Sequence, residues 1–159
     1  MNIFVLDYNP VKAAQMQCDK HVVKMTLETA QLLCSVFPKD KAPYKRTHFN
    51  HPCSVWCRQS KGNYKWLIEH GLALCEEYTY RYGKIHKSKE VILWCKNNLN
   101  KLKFPRESKT HFVLCFKDEY KIGNAIKSYR FYYNQEKSKI AKWNNKRLRP
   151  RWALHSYDL

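Results

Sequence analysis

Glycine is scarce in this chain, four residues in 159, and no GxGxxG, P-loop, HExxH or GxSxG pattern occurs. Nucleotide-fold and zinc-protease readings therefore lose their usual support. Acidic residues are also few, 13 against 30 Lys and Arg, so a formal net charge of +17 is spread along the whole sequence. No apolar run approaches the roughly 18 residues that a membrane span requires. The opening MNIFVLDYNP has neither the positive flank nor the long apolar segment of a secretion signal, so an intracellular protein without a membrane partner is expected. No CxxC pair occurs among the seven cysteines, an odd number that fits reduced thiols better than a disulfide framework.

What is present is base and ring. A strongly basic surface seeks polyanions, and nucleic acid comes first because neutralising phosphate releases counterions. Five Trp, eleven Tyr and seven Phe supply faces on which unstacked bases could rest, although aromatics also fill cores. The basic residues do not collect on one amphipathic helix, which argues against an anionic membrane.

Few segments alternate like strands, and with so little glycine the chain reads as mostly α, a compact single-domain helical bundle over 1–159 with a short N-terminal extended segment. NIFVLD at 2–7 is a short strand or extended arm, and Asn9-Pro10 opens a short helix to about Gln17. A long helix is predicted over 19–37 and a basic loop over 38–52. From Pro52 a helical stripe of Trp56, Tyr64, Leu67, Ile68, Leu72 and Cys75 runs to Gly83, with a break near Gly62. Further helices are predicted over 88–98 and from about Asn124 to Trp143, with 99–117 irregular.

The helix QCDKHVVKMTLETAQLL carries the most informative pattern. On a wheel, Val23, Leu27, Ala30 and Cys34 join Val22, Met25, Leu33 and Val36 in a wide apolar arc, the expected core side. The remaining arc holds Lys20, Lys24, Glu28, Gln31 and Ser35, with His21 at its edge, and Asp19 stands where an N-cap would. The plain reading is a capped helix with a solvated face. The sharper one is an acid/base strip, in which carboxylate, imidazole and ammonium groups tune one another.

His48, His51, Cys53 and Cys57 lie close enough in sequence to suggest zinc, yet Cys53 and Cys57 at i, i+4 read as core thiols, so no metal and no cofactor is expected. The nucleic-acid-binding candidates are Lys20, Lys45, Arg46, His48, His51, Arg58, Lys61 and Trp66, with Arg147, Arg149, Arg151 and Trp152 in the tail. Trp66 falls off the apolar stripe and is expected to be free to stack on a base. The basic loop 39–51 and the tail 146–151 are expected to line one groove.

The block DKHVVKMTLE at 19–28 resembles the D-Q-H block, followed by a Glu nine residues after the Asp, of phage pyrimidine-dimer DNA glycosylases of the endonuclease V type. NIFxLD, CDKHVVKM, NHPxxxW and EYTYRYGK are shared with small phage proteins assigned to that activity by similarity, HGLALCEEYTYRYGK is similar to the family's LIAECLKRGFN region, and RPRW resembles its terminal R-P-x-W. The resemblance implies a compact all-α enzyme that grips a kinked duplex, displaces a base, and attacks sugar C1′ with its terminal amine while a carboxylate stabilises the developing positive charge. Glu28 matches that carboxylate, and Asp19 and His21 match the flanking block. Met1 or Asn2 would provide the amine, because Asn2 is bulkier than the small residue that lets the initiator be removed. Arginines of the family pattern are replaced here by Ile3 and Leu27, and Lys24 beside Glu28 is an alternative nucleophile.

The resulting expectation is a monomeric DNA N-glycosylase, with or without abasic-site lyase activity, acting on damaged or modified pyrimidines in duplex DNA in the host cytoplasm. Glu28, His21, Lys24, Asp19, Met1 and Asn2 would form its site. A non-enzymatic nucleic-acid-binding protein and an enzyme on free nucleotides are the alternatives.

Overall fold

The computed structural model describes residues 1–155, which fold into six α-helices and contain no strand. These are α1 (Pro10–Met16), α2 (Asp19–Ser35), α3 (Pro52–Gln59), α4 (Lys61–Tyr82), α5 (Lys89–Asn97) and α6 (Ala125–Tyr132). A π-helical turn, Tyr133–Lys137, continues α6, and short 3-10 turns occupy Leu99–Lys101 and Asp118–Tyr120. No helix among the described residues is long and apolar enough to cross a membrane.

α4 is the axis of the molecule. Its 22 residues reach about 33 Å, and α1, α2, α3 and α5 all pack against it. Ser60 starts it by accepting the Asn63 amide proton at 3.0 Å, and Gly83 ends it at a φ of 67°, a left-handed cap that favours glycine. The break between α3 and α4 therefore falls at Ser60 rather than at Gly62. Gly62 sits in the first turn of α4 because the backbone of 106–109 runs over it: its amide donates to the Glu107 carbonyl at 2.9 Å, and a Cβ there would lie 2.4 Å from the Lys109 nitrogen.

The core continues through the N-terminal arm, with Ile3, Phe4, Val5 and Leu6 all buried. The arm is extended but pairs with no strand. α2 is consequently covered on two sides, by α4 and α5 on one and by the arm on another, which corrects the wheel. Val23 and Leu27 are 41% and 40% exposed, whereas His21 and Ser35 of the polar arc are buried. Asp19 does not cap α2 either. Cys18 is the N-cap residue, its amide donating to the Tyr133 hydroxyl at 2.9 Å, while the Asp19 amide donates to the Lys142 carbonyl at 2.9 Å. The last helix is shorter than its periodicity suggests, because after Lys137 the chain turns back to bring Lys142 to the start of α2.

Gly62→Ala should destabilise the protein by roughly 1–3 kcal/mol despite alanine's better helix propensity, since the new methyl meets backbone that has no rotamer to escape into. Chemical denaturation checks this, and a variant as stable as the parent contradicts the packing.

Candidate active site

Three of the few carboxylates lie inside the fold, and their surroundings separate them. Asp19 accepts Arg81 at 3.1 Å through one oxygen, and the Asn144 amide and Asn145 side chain at 2.8 and 3.0 Å through the other. Glu77 receives Arg81 Nε at 2.8 Å and Arg147 Nη2 at 2.5 Å. Both are fully committed to guanidinium or amide donors, so Asp19 anchors the start of α2 to Arg81 and to Asn144 and Asn145. Glu28 differs. Its Oε1 lies 3.3 Å from the α-amine of Met1, and its Oε2 is buried without any hydrogen-bond partner among the described residues. A buried carboxylate oxygen left without a donor is costly and asks for a functional explanation.

The amine reaches Glu28 because the arm is pinned at several points. The Asn2 side-chain oxygen accepts the Ile3 and Phe4 amides at 2.7 and 3.1 Å, folding the first residues into a tight turn, and its nitrogen donates to the Cys115 carbonyl at 3.1 Å. Gln17 donates to the Ile3 carbonyl at 3.2 Å and contacts His70 Nε2 at 3.2 Å. His70 Nδ1 in turn donates to the Pro10 carbonyl at 3.0 Å, so Nε2 is its acceptor nitrogen. Phe4 holds a left-handed φ of 55°, a strained conformation for a residue with a side chain, and its ring stacks on His21 at 4.4 Å.

Around this pair is a cavity of about 170 Å³ whose wall includes Met1, His21, Lys24, Glu28, Tyr132 and Lys137. His21 Nδ1 meets the Tyr133 hydroxyl at 2.8 Å. That hydroxyl also accepts the Cys18 amide, which ties the imidazole to the start of α2. Burial, reinforced by the charges of Lys137 and Lys24, pushes His21 down to about 3, so it is a neutral imidazole in this site. Lys24 is exposed at the rim. The sequence reading missed Cys115, Tyr132 and Lys137, which no local spacing connects with α2.

The expected nucleic-acid contacts divide. Lys20, Lys45, His48, Arg149 and Arg151 face solvent. Arg46 and Arg58 instead clasp the Phe49 ring from 4.2 and 3.9 Å and donate to the Phe37 and Phe49 carbonyls, so they shape the loop. Lys61 reaches Glu107 at 3.9 Å, a pair too exposed to matter much. Arg147 is held by Glu77 and lies over Tyr80 at 4.8 Å. Trp66 is a correction: it is buried, edge-on to Trp56 and Phe112, with its Nε1 donating to the Tyr8 carbonyl at 2.9 Å, so it cannot stack on a base. Trp152 is half-buried against Tyr133 and is likewise a packing residue. His51 has one face toward the site, where burial first and the Met1 amine and His48 next lower its basicity, opposed by Glu28. The tail meets the start of α2 through Asn144 and Asn145 at Asp19, and the loop is held beyond its other end where Arg46 donates to the Phe37 carbonyl.

A family model described as pyrimidine dimer DNA glycosylase matches residues 1–91, more than half of the chain. That span includes Met1, His21, Lys24 and Glu28 and excludes Cys115, Tyr132 and Lys137. A search of curated proteins gives no match, and a search of solved structures gives none either.

Neutral, buried histidines have a thermodynamic signature. The unfolded chain takes up its histidine protons near pH 6.5, whereas folded His21 does so only at about 3 and folded His70, also lowered by burial, at about 4. The stability is therefore complete above about pH 6.5 and is lost as pH falls toward 4, because the unfolded state binds the additional protons. Melting temperature measured from pH 8 to 4 should stay level and then decline, with a shallower decline in His21→Asn. A wild-type profile that is flat down to pH 4 contradicts the burial of both rings.

Proposed function

The chain belongs to the pyrimidine dimer DNA glycosylase family, and from that premise we propose that it is a DNA N-glycosylase acting on damaged or modified pyrimidines, with the Met1 α-amine as nucleophile and Glu28 as the carboxylate that stabilises the cationic sugar. The observation that carries this reading is the 3.3 Å contact between the amine and one oxygen of Glu28 while the other oxygen stays unpartnered in the wall of a cavity.

The chemistry follows from that arrangement. As the C1′–N bond to the base lengthens, positive charge grows at C1′ and the ring oxygen, and a fixed anion beside it stabilises this state more than the neutral substrate. The amine's lone pair forms a bond to C1′, the departing base takes up a proton, and the amine loses one. Ring opening of the resulting adduct gives a protonated imine, from which the lyase branch would eliminate the 3′ phosphate. Position favours the Met1 amine over Lys24: the amine lies beside Glu28 in the cavity wall, whereas Lys24 is exposed at the rim. His21, buried and neutral, packs against Phe4 and shapes the cavity wall rather than transferring protons. Lys20, Lys45, Arg149 and Arg151, all exposed, would hold the phosphates of a duplex laid across the cavity, inside the cell where such DNA is found.

Glu28→Gln keeps size and hydrogen bonding and removes the charge. Base release from a pyrimidine-dimer or modified-pyrimidine duplex should fall by roughly two orders of magnitude or more, while duplex affinity is kept or rises because one negative charge near phosphate is gone. Borohydride trapping on abasic duplex DNA should give a covalent adduct whose mapped peptide begins at residue 1. Full activity in the variant, or no release by wild type from any such substrate, overturns the catalytic reading and favours a binding protein; an adduct on Lys24 reassigns the nucleophile.

A further inference from the structure

Beside the amine and carboxylate, metal-ligating side chains gather from three points of the chain. His51 caps α3, Cys53 stands in the first turn of that helix, and Cys115 arrives in the irregular segment that precedes α6. One ligand atom from each lies within 4.8 Å of both others, and the two sulfurs are 2.7 Å apart. Cys57, the sequence neighbour expected to go with them, is buried elsewhere with its thiol toward the Leu32 carbonyl, and His48 is exposed and contacts Thr47. The spatial cluster is thus not the one that sequence proximity suggests.

We propose that His51, Cys53 and Cys115 form a binding site for a soft divalent cation of the zinc class, with water in the fourth position. Two thiolates and an imidazole are the donor set such ions prefer. A tetrahedral ion that holds sulfur at about 2.3 Å and nitrogen at about 2.0 Å sets its ligand atoms roughly 3.3–3.8 Å apart, so the nitrogen is already within reach and the sulfurs must part by about 1 Å. Cys115 lies outside any helix, and rotation about its Cα–Cβ bond shifts the sulfur without moving the backbone that Asn2 holds. The ion takes the Nδ1 lone pair of His51 that now receives the Cys53 amide at 3.1 Å, Nε2 keeps the ring proton, and each thiol gives up its proton to solvent on coordination.

The ion would tie α3 to the segment whose Cys115 carbonyl holds Asn2, and so would brace the arm that delivers the amine. The proposal does not depend on what the cavity does to DNA. Its test uses the full chain, purified under reducing conditions and loaded with zinc or with cobalt as a spectroscopic substitute. One equivalent per chain should be retained after desalting, cobalt should give a thiolate charge-transfer band, and the ion should raise the melting temperature by mass action. Cys115→Ser, and His51→Asn, which preserves a helix-capping side chain, should each lower metal affinity at least tenfold and alter the band. Cys57→Ser should leave the stoichiometry unchanged. Folded wild type that binds neither ion, variants that bind as wild type does, or loss of two hydrogens from a Cys53–Cys115 disulfide in protein that takes up no metal would each overturn the proposal.

Discussion

Arg81 is the interaction on which the arrangement of helices depends. Its side chain is wholly buried, and its guanidinium donates to Glu77 and Asp19 and to the carbonyls of Gln17 and Gln15, at 2.8 to 3.1 Å. A buried ion cluster of this kind adds little net stability over apolar packing, but every partner is fixed in place, because removing one leaves a charge uncompensated. What it fixes is the junction of α1 and α2 against the end of α4. Helices are stiff, so locating Asp19 locates Glu28, nine residues and about 13 Å further along the same helix.

The second determinant is the burial of residues 2–6. Extended backbone without a sheet must satisfy its polar groups individually, and here side chains do so: Asn2 for the first amides, Gln17 for the Ile3 carbonyl, Arg130 for the Leu6 carbonyl at 2.9 Å. The apolar members fill space between α2 and α6, and Phe4 accepts an unfavourable φ to place its ring on His21. The arm therefore has one position, and its amine has one carboxylate beside it. In a chain with so little acid, that pairing stands out against the guanidinium-saturated Asp19 and Glu77.

Much of this was legible in the sequence. Asn9 and Pro10 at the start of α1 and Gly83 at the end of α4 are local signals and mark those ends within a residue, whereas the Ser60 cap that separates α3 from α4 escapes the sequence reading, which expects the break near Gly62. Glu28 stood out on the wheel of α2 and through the resemblance of its block. The failures share a cause, since a wheel reports one apolar face and α2 and α4 are each covered on more than one. Leu27 therefore emerges into solvent while His21 is enclosed by Phe4 and Tyr133, and Trp66 is closed over by Phe112 and Tyr8. Cys115, Tyr132 and Lys137 belong to the cavity through contacts across more than 80 positions of chain, which no periodicity encodes.

The cavity wall is built from two unequal contributions. Met1, His21, Lys24 and Glu28 fall within the span that matches the family, and Cys115, Tyr132 and Lys137 fall outside it. Segments far apart in the chain thus close one cavity, and because the Cys115 carbonyl holds Asn2, a change in the later stretch can alter both the cavity wall and the seat of the amine.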